Sequence, residues 1–217
     1  MEQDVPAFIT TVLAVSMLSF LPFLVVMGTA FTKISIVLML LRSALGVQSA
    51  PSGMVLNSIA LSLTVFIMVP VGDQIIREIQ AQEPTLSSWD GATELYQIIS
   101  GAFSANMKKQ IEPSEMAFFV DAAKMIWPES LYEYATEDNF LLMLPAHVTS
   151  EITRAFEIAF LLFLPFVVID MIVSNILLAM GAMMVPPMLI SLPVKILLFV
   201  AVDGWPRLLH SLILSYI

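Results

Sequence analysis

The sequence has no cysteine, few charged residues and only two histidines. Without cysteine, the chain can form neither disulfides nor thiolate metal sites. His147 and His210 are too far apart in sequence to suggest a histidine-based metal site. Charged residues make up 12% of the chain, against about 25% in an average protein, and 59% of its residues are hydrophobic. Together with a mean hydropathy of +0.91, this composition is typical of an integral membrane protein.

Motifs of common enzymes are also absent from the sequence. It contains no Gly-rich phosphate loop, no HExxH and no nucleophile elbow, and neither histidine has an identifiable serine or cysteine partner. The net charge of −9 is opposite in sign to that of nucleic-acid-binding proteins. We therefore expect neither an enzyme nor a nucleic-acid-binding protein, and we expect no cofactor and no metal.

Long uncharged runs occupy the first third of the chain. Residues 5–32 carry no charge, and residues 43–72 form a second uncharged run of 30 residues. A membrane crossing needs about 20 apolar residues, so each run is long enough to cross. Pro51 and Gly53 mark a turn, so the second helix is predicted to begin near Gly53 and to end within residues 69–74. Because Glu2 and Asp4 make the N-terminus acidic, we interpret the first run as retained rather than as a signal peptide.

An acidic region follows, with 14 acids against five bases in residues 73–157. After Pro113, apolar residues recur at helical spacing, which predicts an amphipathic helix closed by Pro128; they are Met116, Phe119, Val120, Ala123 and Trp127. Residues 92–110 are predicted to form another helix. We interpret this region as a small helical insertion with a solvated acidic face. The predicted division is residues 1–75, hydrophobic helices; 76–148, the insertion; and 149–217, a hydrophobic hairpin.

The membrane orientation follows from the distribution of bases. Lys33 and Arg42 separate the first two hydrophobic segments, so the positive-inside rule places them in the cytoplasm and the insertion outside. With about four crossings, both termini would then lie outside. The third hydrophobic part is predicted to begin as a long helix capped by Thr149, Ser150 and Glu151, and to be interrupted by Pro165. Its last segment is broken by Pro193, Lys195, Asp203 and Pro206.

Five methionines lie within 18 residues of the C-terminal part, in a segment (residues 171–194) without any charge. They are Met171, Met180, Met183, Met184 and Met188. Gly181, Pro186 and Pro187 cannot continue a helix, which predicts a tight turn. We call residues 180–188 the methionine loop. Methionine is flexible and adapts to varied shapes, so an apolar loop of this kind suggests a seal, the alternative being ordinary helix packing.

Asp170 and Lys195 are charges in apolar surroundings on opposite sides of this loop. In an antiparallel hairpin they would lie at related depths, so they could pair within the hairpin or across a subunit boundary. We favour a structural ion pair over a proton relay, because a relay needs further carboxylates along the path.

Five ordered segments resemble the SctR/FliP family of type III secretion export-apparatus proteins. Residues 29–46 read TAFTKISIVLMLLRSALG, residues 55–68 read VLNSIALSLTVFIM, and residues 145–171 read PAHVTSEITRAFEIAFLLFLPFVVIDM. Residues 181–187 read GAMMVPP and residues 190–205 read ISLPVKILLFVAVDGW. The lack of a basic signal peptide and the short N-terminus favour an injectisome SctR over a flagellar FliP.

The resemblance implies an all-α membrane protein of long kinked helical hairpins with a small acidic insertion, assembled as a helical ring in the bacterial inner membrane. Family members form a ring of five that joins S and T subunits and meets the U protein and the V export gate. Unfolded secretion substrates pass through its centre. Much of the assembly lies toward the periplasmic side, above the usual bilayer plane.

The resemblance also implies roles for particular residues. The methionine loop of the family seals the channel, which corresponds to Met183 and Met184, with Met180 and Met188 as possible contributors because Ala182 replaces a methionine of flagellar members. Charges matching Glu151, Asp170 and Lys195 pair between neighbouring subunits of the family. The alternative function is a structural scaffold that nucleates the export apparatus without lining the conduit. A small-solute transporter would need an internal repeat, and none is found.

Overall fold

The computed structural model describes residue 19 and residues 21–47, 49–82, 89–182 and 184–217. Within these ranges the secondary structure is helical and contains no strand, in agreement with the predicted all-α class. The helices are α1 (Leu21–Gly28), α2 (Phe31–Leu45), α3 (Gly53–Gln82), α4 (Trp89–Lys108), α5 (Pro113–Ile126), a 3-10 helix (Glu129–Tyr134), α6 (Phe140–Ala179), α7 (Pro187–Ala201) and α8 (Gly204–Leu214).

Helix α2 lies at the centre of the larger apolar core. Its Ile34, Val37, Leu38 and Leu41 are completely buried, and they pack with residues of α3, α6, α7 and α8. A helix that is apolar on nearly every side can be buried on nearly every side, which explains this central position. The helix ends at Gly46, whose φ of 77° is in the left-handed region that glycine adopts without strain.

Two helices are longer than the sequence patterns predict. Helix α3 begins at Gly53 as expected but continues through Pro70 to Gln82. Helix α6 begins at Phe140, not at Thr149, and runs for 40 residues through Pro145 and Pro165. The predicted interruption at Pro165 is therefore wrong, since a long apolar helix packed against its neighbours tolerates the proline.

The predicted cap of α6 is also wrong. Asn139 caps the helix, because its side chain accepts a hydrogen bond from the backbone N–H of Leu141. The hydroxyls of Thr149 and Ser150 instead donate to carbonyl oxygens one turn earlier, within the helix. Residues with capping chemistry occur at Thr149 and Ser150, but the helix has already begun when the chain reaches them.

The insertion has an apolar core of its own. Its buried residues include Met107, Met116 and Ala123, and Phe119, Val120 and Trp127 pack against them. The predicted amphipathic helix is confirmed as α5, which ends at Ile126, just before Pro128. Helices α3 and α6 run without a break across the predicted boundaries at residues 75/76 and 148/149. The division into three parts therefore stays a prediction.

Among the described residues, α3 and α6 are long and apolar enough to cross a membrane, and the bent pair of α7 and α8 would make a third if it formed one span. Most of the first predicted crossing lies outside the described residues; in its described part, α1 ends at Gly28 and α2 begins at Phe31. Lys33 is buried in α2 with only 1% of its surface exposed, so it is not a loop base of the kind the positive-inside rule counts. The orientation stays a prediction that rests on Arg42.

The C-terminal part forms the predicted hairpin. Helix α6 ends at Ala179, Gly181 has a φ of 75°, and Pro187 is the first residue of α7. The break in the last segment lies at Val202 and Asp203, where α7 and α8 meet at a bend of 61°. Pro193 lies within α7, so the prediction that it breaks the segment is wrong.

Candidate functional site

The two arms of the C-terminal hairpin are joined by an ion pair. Lys195 Nζ of α7 lies 2.6 Å from Asp170 Oδ2 of α6, and the same ammonium group donates to the carbonyl oxygen of Ala44 at 3.2 Å. The hairpin thus brings the two charges together within one chain, one of the two arrangements that the sequence leaves open. Lys195 is nearly buried, but 44% of the Asp170 side chain is exposed. That carboxylate can still reach a neighbouring molecule, so pairing between subunits stays a prediction.

Glu151 is completely buried and lies in a cluster with two residues that sequence reasoning missed, the buried Lys33 and the partly buried Tyr216. Its Oε1 is 3.3 Å from Lys33 Nζ, an ion pair without hydrogen-bond geometry, and its Oε2 accepts a hydrogen bond from the Tyr216 hydroxyl. The Lys33 ammonium also lies 3.6 Å from the centre of the Tyr216 ring. The cluster therefore joins α6 to α2 and to the segment after α8. Buried charges need such partners, because an unpaired one is costly.

A polar stripe on α6 extends this cluster in both directions. His147, Ser150, Glu151 and Arg154 follow at helical spacing, so they lie on one side of the helix. His147 Nδ1 is 2.9 Å from the carbonyl oxygen of Met27 in α1. Four polar residues of a mainly apolar helix thus face other parts of the same chain.

The stripe also holds the turn between α4 and α5. The backbone N–H of Glu112 donates to Ser150 Oγ at 3.0 Å. Arg154 contacts the Glu112 carboxylate through Nη2 at 2.6 Å and Gln110 Oε1 through Nη1 at 3.2 Å. These contacts connect the core of the insertion with the core around α2.

The methionine loop is the apolar tip of the hairpin. Met184 is 97% exposed, Met180 is 73% exposed and Met188 is 56% exposed. Met183, the other residue predicted to seal a channel, lies outside the described residues. Gly181 ends α6 in the left-handed conformation, while Pro186 and Pro187 lead into α7. The described methionines of the loop therefore contribute little to the core of this chain, and their side chains are available to other molecules.

Within the described ranges, no three His, Asp or Glu side chains come together as metal ligands would. The charges that are buried there form ion pairs and hydrogen bonds with other residues of the chain. Fold and site together define a helical protein of membrane type in which charged residues connect helices and an apolar methionine-rich tip is exposed.

Comparison with known proteins agrees with the family resemblance. The family model named FliP family matches residues 14–212, so the chain belongs to the FliP family. The Yop proteins translocation protein R of Yersinia pestis is 44% identical over 213 residues, which cover 98% of both chains. The harpin secretion protein HrcR of Erwinia amylovora is 40% identical over 96% of both chains. The flagellar biosynthetic protein FliP of Bacillus subtilis is 39% identical over 99% of this chain and 94% of its own. A role in protein secretion is therefore supported.

Proposed function

We propose that the chain is the core pore-forming subunit of a type III secretion export apparatus in the bacterial inner membrane. Five copies would surround a conduit for unfolded proteins, together with the S, T and U subunits and the V export gate. The relatives, which include translocation and secretion proteins of pathogens, favour an injectisome. The observation that carries the proposal is the exposed methionine loop at the tip of the hairpin, within the uncharged residues 171–194.

The chemistry of the loop suits a seal. An exposed thioether side chain is apolar and flexible, so several copies can close on one another and part again without breaking strong bonds. Gly181 and the two prolines fix where the loop leaves α6 and enters α7. The ion pair of Asp170 with Lys195 connects α6 and α7, the two arms that carry the loop. A flexible tip on a fixed hairpin can act as a gasket around a moving polypeptide.

The first test removes the proposed gasket side chains. We expect the double variant Met183→Ala and Met184→Ala to assemble normally but to leak small ions, because shorter side chains no longer meet at the centre. Planar-bilayer conductance of the assembled complex measures the leak. Met54→Ala is the matched control, since Met54 is 81% exposed at the start of α3, far in sequence from the loop. As a positive control, the complex must be shown to conduct ions after a substrate has been released from it. If the double variant in such a complex conducts no more than wild type does in its closed state, the gasket is refuted.

A second test separates a conduit from a scaffold that only nucleates assembly. A photo-crosslinking residue at position 184 should capture a secretion substrate that is stalled during export. A residue at position 54 serves as the control and should capture none. A scaffold outside the conduit predicts no substrate adduct at either position.

A further inference from the structure

Helix α5 of the insertion has two apolar faces, of which one is buried and the other is exposed. The buried face contains Met116 and Ala123. On the opposite side, Phe118 is 63% exposed and Met125 is 84% exposed. These two residues are seven positions apart and therefore share one side of the helix, with Ala122 between them. We call Phe118, Ala122 and Met125 the outer face of α5.

The charges beside the outer face are almost all acidic. Glu115 and Asp121 lie within one turn of Phe118, on either side of the apolar stripe. From residue 113 to residue 138 the chain has six acids and one base, Lys124, which lies off the stripe by helical spacing. One of the six acids, Asp138, is paired with Lys108 of α4. The 3-10 helix packs against α5 and adds two half-exposed residues, Leu131 and Tyr132, between further acids. The result is an exposed apolar stripe with an acidic rim.

Two features separate this surface from a lipid-facing one. Helix α5 is not among the helices that are long and apolar enough to cross a membrane. Anionic headgroups attract basic segments, and the acidic rim would be repelled by them. Exposed large apolar residues on a solvated helix are typical of a protein interaction surface, particularly when an apolar centre has a polar rim.

We propose that the outer face of α5 is a docking surface for a partner protein that presents an apolar patch surrounded by Lys and Arg. The apolar stripe supplies the area that is removed from water, and the acidic rim selects the partner by charge. A second copy that docked through the same face would bring two acidic rims together, and like charges oppose association. The proposal concerns the insertion alone and does not depend on the proposed gasket.

The test is site-specific photo-crosslinking of the full chain in membranes of its own bacterium. A photo-crosslinking residue is placed at position 125, where the side chain is exposed and makes little contact with the core. We expect an adduct with a protein whose crosslinked segment contains Lys or Arg. In the same chain, Asp121→Lys should lower the yield about tenfold, because it reverses a rim charge beside the stripe. Glu94→Lys is the matched control: it reverses an exposed acidic charge on α4 instead of α5, so the yield should hold.

Further variants separate loss of docking from loss of folding. Phe118 contacts Phe119 edge to face, with ring centres 5.3 Å apart, so Phe118→Ala could also loosen the insertion. Met125 makes no such ring contact, so Met125→Ser tests the stripe without disturbing Phe119. For this variant the crosslinking residue is placed at position 118, and the crosslinking yield should again fall. When Asp121→Lys is combined with replacement of a basic residue by an acidic one in the captured partner, the crosslinking yield should be restored. An adduct with a second copy, an adduct with lipid, no adduct, or a yield that Asp121→Lys leaves unchanged would each overturn the proposal.

Discussion

At the scale of single residues, the buried charges of Glu151 and Lys33 form a cluster with the partly buried Tyr216. Each member satisfies the others: the carboxylate faces the ammonium group, the phenol donates to the carboxylate, and the ring covers the ammonium group. The attraction within such an ion pair adds little net free energy of folding, because both charges lose their water on burial. Removing one partner is nevertheless costly, because the remaining charge is then buried without a partner.

Glu151→Gln should therefore destabilise the chain by about 3–5 kcal/mol, since it leaves the Lys33 ammonium buried and uncompensated. The apparent melting temperature in mild detergent, followed by circular dichroism, measures the effect. Glu157→Gln is the control, because Glu157 is exposed on the same helix and its replacement should change stability very little.

The double variant Lys33→Met with Glu151→Leu tests the physical reason. It removes both charges and keeps apolar volume, so it should be more stable than Glu151→Gln alone. If both variants melt at the same low temperature, shape rather than charge pairing determines the stability of the cluster.

The sequence predicts only part of this chemistry. Asp170 and Lys195 lie at similar distances from a recognisable turn, so their proximity follows from hairpin geometry. Glu151, Lys33 and Tyr216 come from three distant segments, and no local pattern relates them. The one local indication is Lys33 itself, a charge inside an apolar segment that must find a partner when it is buried.

At the scale of helices, the bend between α7 and α8 depends on a close contact. Phe199 packs against Trp205 edge to face, with ring centres 5.4 Å apart, and the backbone of Gly204 lies against the same ring. A Cβ at position 204 would lie 2.3 Å from the Phe199 ring, which is well inside contact distance. Glycine at position 204 therefore lets α8 turn back along the core.

Gly204→Ala should destabilise the chain by about 1–3 kcal/mol, because the Phe199 ring must leave its place in the core. Gly72→Ala is the matched control: Gly72 lies inside α3 and has nothing within 4 Å of an added Cβ. It should be neutral or stabilising by about 0.5–1 kcal/mol, as alanine favours a helix. Thermal unfolding in detergent measures both, and equal melting temperatures would show that the bend accepts a side chain.

Helix positions could be predicted better than helix ends. Apolar periodicity correctly predicted α5, and the turn at Pro51 and Gly53 correctly predicted the start of α3. Two prolines were misleading signals, since Pro165 and Pro193 lie inside helices that they were predicted to interrupt. In a long packed helix, tertiary contacts outweigh the lost hydrogen bond, and a single sequence does not show those contacts.

At the scale of the whole molecule, much surface remains uncovered. The chain exposes 14124 Å², whereas a compact water-soluble protein of its 23.9 kDa mass would expose about 9,900 Å². Much of this surface is apolar, including one side of α7 with Leu189 at 70%, Leu197 at 71% and Val200 at 64% exposure. Lipid or other subunits must cover such a surface.

We expect the chain to form a species of five copies in mild detergent, measured by native mass spectrometry. If five methionine loops meet at a common axis, the start of α7 lies near that axis, and we expect the exposed side of this helix to contact a neighbouring copy. Leu197→Gln with Val200→Gln should therefore shift the mass toward the single chain. Val65→Gln with Val69→Gln, a pair on α3 that is also more than half exposed, should leave it unchanged. If the α3 pair dissociates the complex and the α7 pair does not, the copies contact one another through α3 and the expected role of α7 is wrong.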